Sequence, residues 1–248
     1  MPAWLTHYAW CTRQSWPNKA RTLDFYPSRK FDTDPRCIVL HSTETVSFPG
    51  YRSGADNPHF TINLTTGATR QHVPLDHGAR ALEVRGGNSR NNTSGTVQIE
   101  IIGAVTPGYP AKHGHYDLVN SFPRDEAAQK HLARLLRAIH DETGIPLTTS
   151  VRWVTYPASY GDNASQRLST AQFLRYEGVL GHQHVPGNSH GDPGALVGLD
   201  RVLAFARGGG DLDPLPYGSP LIASLTAAQV KMLQAMLEGV GISVGPAG

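Results

Sequence analysis

The sequence CIVLHSTET, residues 37–45, opens with an apolar run and changes abruptly to polar residues after His41. Such a run predicts a buried strand whose carboxyl end meets a loop. His41 then lies at the rim of a sheet, which is where open α/β sheets place their ligands. The position suits a metal ligand, but it equally suits a buried histidine with an ordinary structural hydrogen bond.

A second apolar run, VQIEII at residues 97–102, predicts another buried strand with Glu100 inside it. Side chains alternate along a strand, so Gln98 and Glu100 lie on the face opposite to Ile99. The lack of a clean apolar and polar alternation favours burial on both faces. A buried carboxylate is costly unless it is paired, hydrogen-bonded or close to a metal. The alternative is an edge strand with Glu100 in water.

A third stretch, GHQHVPGNSHGDPG at residues 181–194, places three imidazoles and a carboxylate in a run too rich in turns for a helix. A catalytic zinc needs three protein ligands and an open position for water. His182 and Asp192 are two candidates, and His41 is the best candidate for the third. His184 could chelate beside His182 if the backbone is extended. A fourth protein ligand would block the water position, which argues against His184.

Together these stretches resemble the zinc N-acetylmuramoyl-L-alanine amidases of the peptidoglycan recognition protein type, which occur in phage endolysins and bacterial wall-recycling enzymes. The resemblance covers residues 35–207. It rests on the strand that ends in His-Ser-Thr, the hairpin motif HFTIN at 59–63, the strand that contains Glu100, and Gly-His followed by Asp-Pro-Gly. It implies an α/β fold with a mixed central β-sheet flanked by α-helices. It also implies that His41, His182 and Asp192 hold a catalytic Zn2+ ion.

The resemblance also assigns the proton transfers. Glu100 takes the position of the family's general base. Other members use a tyrosine just before the hairpin histidine, and because that residue is Pro58 here, the glutamate route is favoured. Many relatives place a lysine two residues before the third ligand to stabilise the oxyanion, and here that residue is His190. A histidine donates only when it is protonated or in the right tautomer, so activity should depend on pH where histidine titrates.

Five further residues are candidates for substrate contact. His59 and His77 match positions that line the substrate groove in the family, although each could be an ordinary strand or loop histidine. Thr43, Asn57 and Asn188 are polar and close to the motifs, and each could equally cap or brace a turn.

The implied reaction is hydrolysis of the amide bond between N-acetylmuramic acid and L-alanine in bacterial peptidoglycan. The form of the 181–194 motif is most like that of endolysins from phages of actinobacteria. One rival is a peptidoglycan-binding module that has lost catalysis, and another is a zinc peptidase that cuts within the stem peptide. All three ligand candidates and Glu100 are present, which favours an enzyme over a binding module. A structural zinc is the last alternative, and it predicts a closed four-ligand site.

Composition and charge limit the classes of partner that the chain can have. The net charge of +2 is too small to argue for nucleic acid, and no apolar run is long enough to span a membrane. The first residues are not followed by a signal-peptide pattern. These features predict synthesis in the host cytoplasm without a signal peptide, and action on the cell wall after release. Cys11 and Cys37, the two cysteines, are predicted to be buried and reduced. The oligomeric state is left open.

The chain is predicted to divide into three parts. Residues 1–207 form the catalytic domain, in which residues 1–35 are an N-terminal arm that packs on the sheet. Residues 208–220, rich in Gly, Pro and Asp, form a linker. Residues 221–248 form a short helical C-terminal tail, because apolar residues recur there at helical spacing after a capping box.

Within the catalytic domain, three helices and one hairpin are predicted. Apolar spacing, capping boxes and stop signals predict the helices at residues 126–142, 170–177 and 200–206. The hairpin spans residues 59–72 and turns at residues 65–67.

Overall fold

A mixed six-stranded β-sheet forms the centre of the structure, a computed structural model that describes residues 4–14, 30–82 and 90–209. In chain order the strands are β1 (Cys11–Arg13), β2 (Cys37–Ser42), β3 (Phe60–Ile62), β4 (Thr69–Gln71), β5 (Thr96–Ile101) and β6 (Gly178–Gly181). Across the sheet they lie in the order β1-β4-β3-β5-β2-β6. β3 and β4 are antiparallel, whereas β3, β5, β2 and β6 run parallel. The predicted mixed α/β sheet is confirmed.

The two apolar runs of the sequence form the middle of this sheet. β2 pairs with β5 in parallel along its whole length. Every residue of β2 is buried, and within β5 only Glu100 is partly exposed. Burial on both faces explains why neither run alternates apolar and polar residues. The prediction of two buried central strands is confirmed, and the edge-strand alternative for Glu100 is wrong.

The two faces of the sheet are packed differently. On one face, Ile38 belongs to the main apolar core. On the other face, Val39 belongs to a smaller apolar cluster, and His41 shares its parity along β2. The register places Glu100 beside His41 on one side and beside Thr61 on the other. These three polar side chains therefore lie in a row on the face of the smaller cluster.

Helical segments surround the sheet in the described part of the chain. They are α1 (Tyr51–Gly54), α2 (Arg90–Thr93), α3 (Tyr109–His113), α4 (Glu126–Thr143), α5 (Thr170–Phe173) and α6 (Leu199–Ala204), with 3₁₀ turns at Phe122–Arg124 and His182–His184 and a π turn at Phe205–Gly209. The long helix α4 is predicted correctly. The Asp125 carboxylate accepts a hydrogen bond from the N–H of Ala128 at its start, and Gly144 ends it with a left-handed φ of 76°. Its apolar stripe packs into the main core.

Three smaller predicted elements are also present. The hairpin β3–β4 turns where predicted, with Gly67 at a left-handed φ of 70°. Helix α5 begins at the predicted capping box of Ser169 and Gln172, but it ends at Phe173 instead of residue 177. Helix α6 covers most of the predicted segment 200–206.

The predicted N-terminal arm contributes a strand to the sheet. β1 pairs in parallel with β4 at the edge of the sheet. Leu5 is fully buried, and its N–H donates to the side chain of Gln71 at 2.7 Å. The described part of the predicted arm thus joins the sheet as an edge strand, which the sequence does not reveal because three residues are too few to show a period. Residues 1–3 and 15–29 of the arm lie outside the described residues. Cys11 and Cys37 are both buried and form no disulfide.

Residues 210–248 lie outside the described residues. The predicted tail and most of the predicted linker fall there, while Gly208 and Gly209 complete the π turn that follows α6. Among the described residues, no helix combines the length and the apolar character that crossing a bilayer requires.

Candidate metal centre

The carboxyl ends of three neighbouring strands, β5, β2 and β6, meet at one edge of the sheet. Glu100 on β5 lies opposite His41 on β2, and Leu40 lies opposite Gly181, the last residue of β6. His182, which follows directly, therefore lies beside His41, and their ring centroids are 4.4 Å apart. The parallel register thus brings His41, Glu100 and His182 close together, although they are far apart in the sequence.

The loop after β6 returns Asp192 to the same point. Its Oδ2 atom lies 3.6 Å from Nδ1 of His41, and its Oδ1 atom lies 3.3 Å from Nδ1 of His182. The backbone N–H of Ser42 also donates to Oδ2 at 3.2 Å. One potential ligand atom from each of the three side chains lies within 4.8 Å of the others. The structure therefore brings together the three residues that the sequence predicts as ligands.

This group of side chains fits a zinc ion. The side chains of His41, His182 and Asp192 are 1%, 3% and 14% exposed. The Nε2 atoms of both histidines are buried without a hydrogen-bond partner among the described residues. Two imidazole nitrogens and a carboxylate oxygen are typical zinc ligands, and three protein ligands leave a fourth position for water. A divalent cation would also offset the cost of burying Asp192 beside Glu100.

Burial controls the charges of these groups. It lowers the pKa of His41 well below its usual value, with His182 acting in the same direction, and it also lowers the pKa of His182. Both imidazoles are thereby favoured in the neutral form, which is the form that binds metals. Burial raises the pKa of Asp192, but His182, His190 and His41 together hold that pKa well below its usual value. Asp192 is therefore the anionic member of the group.

Glu100 is the carboxylate beside the three candidate ligands. Its Oε1 atom lies 3.8 Å from Nδ1 of His41, its Oε2 atom is buried without a hydrogen-bond partner among the described residues, and its side chain is 13% exposed. Burial raises the pKa of Glu100 well above its usual value, and the charges of Asp192 and Glu44 add to the effect. A carboxylate whose protonated form is favoured in this way can accept a proton and hold it for delivery.

A hydrogen-bonded chain lies on the side of Glu100 away from His41. The hydroxyl of Thr61 lies 2.7 Å from the hydroxyl of Tyr51 and 2.8 Å from Nε2 of His72. Burial raises the pKa of Tyr51, and the charge of Glu100 adds to this effect. The sequence gives no signal for this hydrogen-bonded group. Tyr51 itself has a left-handed φ of 43°, and the segment around it shows no periodic pattern.

His190 lies next to the centre and faces solvent. Its ring stacks on that of His182 with the centroids 4.5 Å apart. Its Nδ1 atom lies 3.5 Å from Oδ1 of Asp192, and its side chain is 48% exposed. This imidazole is therefore close to the candidate ligands and open to a substrate.

His184 is occupied by contacts within the protein. Its Nδ1 atom accepts a hydrogen bond from the N–H of Gly181 at 2.9 Å, and its Nε2 atom lies 3.1 Å from the carbonyl oxygen of Arg152. The ring of Trp153 meets it edge-on at a centroid distance of 4.8 Å. Both ring nitrogens are in use, which agrees with leaving His184 out of the ligand set.

His59 and Asn188, two predicted substrate contacts, are buried and hydrogen-bonded internally. The Nδ1 atom of His59 accepts from a backbone N–H of β5 at 3.0 Å, and its Nε2 atom lies 2.8 Å from the carbonyl oxygen of His77. The Asn188 side chain accepts from the N–H of His190 and donates to the carbonyl of Val185, both at 2.8 Å. Burial and these internal hydrogen bonds argue against substrate contact by either residue.

The other three predicted substrate contacts differ in exposure. Thr43 is half-buried just beyond β2, and its hydroxyl oxygen accepts from the N–H of Thr45 at 3.2 Å. Asn57 is only 2% exposed, and its Nδ2 atom has no hydrogen-bond partner among the described residues. His77 is half-buried, with Nδ1 2.8 Å from a carboxylate oxygen of Asp76. These placements leave Thr43, Asn57 and His77 as candidates.

Glu44 is a residue near the centre that the sequence does not single out. Its carboxylate accepts hydrogen bonds from the backbone N–H groups of Val105 and Thr106 at 2.9 and 3.3 Å. It also accepts from the hydroxyl of Ser42 at 2.8 Å, and its own backbone has a left-handed φ of 51°. Glu44 thus ties the loop after β2 to the loop after β5, beyond the ends of the two strands that carry His41 and Glu100.

Two imidazoles and a carboxylate grouped for a metal, with a second carboxylate beside them, define a candidate hydrolase of amide or ester bonds. Comparison with protein-family models matches residues 31–195 to the family described as N-acetylmuramoyl-L-alanine amidase. The match spans more than half of the chain, and the chain belongs to this family of peptidoglycan-cleaving enzymes. The matched residues include His41, Glu100, His182 and Asp192.

Two solved structures are similar to this chain. One is described as a mutant structure of PlyL, with 13% identity and a TM-score of 0.40, covering 84% of this chain and 99% of that chain. The other is described as a mutant endolysin from Bacillus subtilis, with 16% identity and a TM-score of 0.41, covering 81% of this chain and 98% of that chain. No curated protein sequence matches this chain.

Proposed function

We propose that this amidase is zinc-dependent and that His41, His182 and Asp192 hold the ion. The observation that carries the proposal is the meeting of these three side chains beside the buried carboxylate of Glu100. The bond that is cut joins the lactyl group of N-acetylmuramic acid to L-alanine of the stem peptide. A bound zinc ion supplies a Lewis acid for the amide carbonyl and makes water nucleophilic near neutral pH.

Glu100 is the group that moves the proton. It takes a proton from water as the water oxygen forms a bond to the carbonyl carbon. It then delivers this proton to the leaving nitrogen as the carbon–nitrogen bond breaks. The unpartnered Oε2 atom supports this role, because no protein hydrogen bond among the described residues has to break before a proton is accepted. The products are a muramic lactyl carboxylate and a stem peptide with a free amino terminus.

His190 is the donor to the oxygen on which negative charge develops. Its ring is stacked on His182 and half exposed, so it can reach a substrate bound at the centre without moving a ligand. Donors aimed at this oxygen stabilise the transition state more than the substrate.

We expect His190→Ala to lower turnover by about 10²- to 10³-fold, the usual cost of losing one oxyanion donor. His190→Lys should retain most of the activity, because an ammonium also donates hydrogen bonds. Steady-state hydrolysis of purified peptidoglycan measures both, with zinc content determined on the same samples. Wild-type turnover in His190→Ala would remove this residue from the reaction, whereas loss of zinc would move it to the ligand set.

Mass spectrometry of the soluble products tests the proposed reaction. Digestion of peptidoglycan should release free stem peptides that begin at L-alanine, and pretreatment of the enzyme with a zinc chelator should abolish their release. Zinc added back should restore it. Cut stem peptides still attached to muramic acid would indicate a peptidase instead, and absence of any release would indicate a binding module.

We also propose a role in host lysis, with synthesis in the cytoplasm and action on the wall after release. The form of the 181–194 motif supports this role. The chain should lyse a producing culture only when a membrane-permeabilising protein is expressed with it. Lysis without that protein would show that the chain reaches the wall on its own, against the proposed route.

A further inference from the structure

Arg167 lies half-buried against the loop that carries the second and third candidate ligands, and the reaction described above does not use it. Its guanidinium donates to the carbonyl oxygens of Gly161, His182, Val185 and His190 and to the side-chain oxygen of Asn188. These acceptors include no carboxylate. Arg167 therefore holds the loop through backbone carbonyl groups and through the side chain of Asn188.

The positions of the acceptors along the loop matter most. One nitrogen of Arg167, Nη1, lies 3.5 Å from the carbonyl oxygen of His182, the first loop-borne ligand. The other, Nη2, lies 2.9 Å from the carbonyl oxygen of His190, two residues before Asp192. One rigid planar group thus holds both ends of the segment between the two ligands. The N–H of Gln183 also donates to the carbonyl oxygen of Asp192 at 3.0 Å, so Arg167 adds to a direct backbone bond between the two ends of the loop.

Asn188 extends the same network. Its Oδ1 atom accepts from Nη1 of Arg167 at 3.2 Å and from the N–H of His190 at 2.8 Å. Nη1 also donates to the carbonyl of Val185 at 2.8 Å, and the Asn188 amide donates to that same carbonyl. The middle of the loop is therefore held by Arg167 and Asn188, which both donate to the carbonyl oxygen of Val185.

We propose that Arg167 is a positioning residue that raises the zinc affinity of the centre by holding the loop that carries His182 and Asp192. The inference rests on the proposed zinc site and goes beyond it, because it names the group that holds the site in shape before the ion binds. Outer groups that orient metal ligands typically contribute a factor of about 10 to 100 in metal affinity.

The test compares Arg167→Lys with a matched control, Arg36→Lys. Arg36 is also half-buried and also donates to backbone carbonyls, those of Ser94, Phe173 and Tyr176. It precedes β2 and so lies at the amino end of the parallel strands, away from the metal centre. Both variants keep the positive charge but lose the planar guanidinium group, because the lysine ammonium donates its hydrogen bonds from a single nitrogen.

Zinc affinity of the full-length apo proteins is measured by competition with a chromophoric chelator, and the thermal midpoint is measured with and without zinc. We expect both variants to lower the midpoint of the apo protein. Only Arg167→Lys should weaken zinc binding, by about 10- to 100-fold. At saturating zinc its KM for peptidoglycan should stay at the wild-type value.

Wild-type zinc affinity in a folded Arg167→Lys protein would overturn the inference and leave the proposed function standing. Equal weakening in Arg36→Lys would also overturn it, because the effect would then be one of general stability. A wild-type protein that binds no zinc would overturn the proposed function together with the inference.

A second variant keeps the test decisive if Arg167→Lys does not fold. Asn188→Ala removes the acceptor shared by Arg167 and His190 without changing the charge of the chain. It should weaken zinc binding by a smaller factor than Arg167→Lys. Unchanged zinc affinity in folded Asn188→Ala would overturn the inference on its own.

Discussion

Replacement of Glu100 by glutamine is expected to lower turnover by about 10²- to 10⁴-fold, the range typical for removal of a general acid–base group. Glutamine keeps the shape of the side chain between His41 and Thr61. Its amide cannot accept a proton from water or deliver one to the leaving nitrogen. Zinc content should remain stoichiometric, because the three proposed ligands are untouched. Hydrolysis of purified peptidoglycan and metal analysis of the same preparation measure the two quantities.

Tyr51→Phe is the matched control for this variant. Tyr51 lies on the Glu100 side of the centre, and its hydroxyl lies 2.7 Å from the hydroxyl of Thr61. Loss of one neutral hydrogen bond costs ~1 kcal/mol, so turnover should stay within about fivefold of the wild type. A large loss in Tyr51→Phe with near-normal turnover in Glu100→Gln would contradict the proposed mechanism. The proton would then be moved by Tyr51.

The central strands could be predicted from the sequence because burial on both faces leaves a simple pattern. β2 and β5 are continuous apolar runs, and the change to polar residues after His41 marks the edge where ligands lie. β1 and β6 have three and four residues, too few to show a period, so the pattern does not reveal them. The sheet order depends on pairings between distant segments, and a single sequence does not contain them.

The candidate centre could be predicted only in part for the same reason. His182 and Asp192 stand out because nitrogen and oxygen ligands cluster on a short run of turns. Arg167 and Tyr51 come from segments without a motif, and their roles depend on which backbone they meet after folding. His59 and Asn188 have suitable side chains for substrate contact, but both side chains are hydrogen-bonded to nearby backbone groups. A sequence pattern cannot distinguish a polar group that faces substrate from one that braces a loop.

Replacement of Asp192 by asparagine is expected to abolish zinc binding and, with it, hydrolysis. Asp192 is the only anion among the three proposed ligands, and both its oxygens face histidine nitrogens, at 3.3 and 3.6 Å. A neutral amide leaves two imidazoles to hold the ion. Zinc affinity should therefore fall by more than the factor of about 10 to 100 that loss of an outer group costs. The zinc-dependent rise of the thermal midpoint should disappear as well, because a ligand stabilises the folded state only if it binds.

The matched control for Asp192→Asn is Asp76→Asn, a change in an aspartate that also pairs with a histidine. The Asp76 carboxylate lies 2.8 Å from Nδ1 of His77, outside the group of proposed ligands. Its loss removes a similar contact between a carboxylate and an imidazole without touching the metal, so zinc affinity should stay at the wild-type value. Stoichiometric zinc in Asp192→Asn would contradict the proposed ligand set. His190 would then be the replacement, because its Nδ1 atom lies 3.5 Å from the Asp192 carboxylate, whereas both ring nitrogens of His184 are already in use.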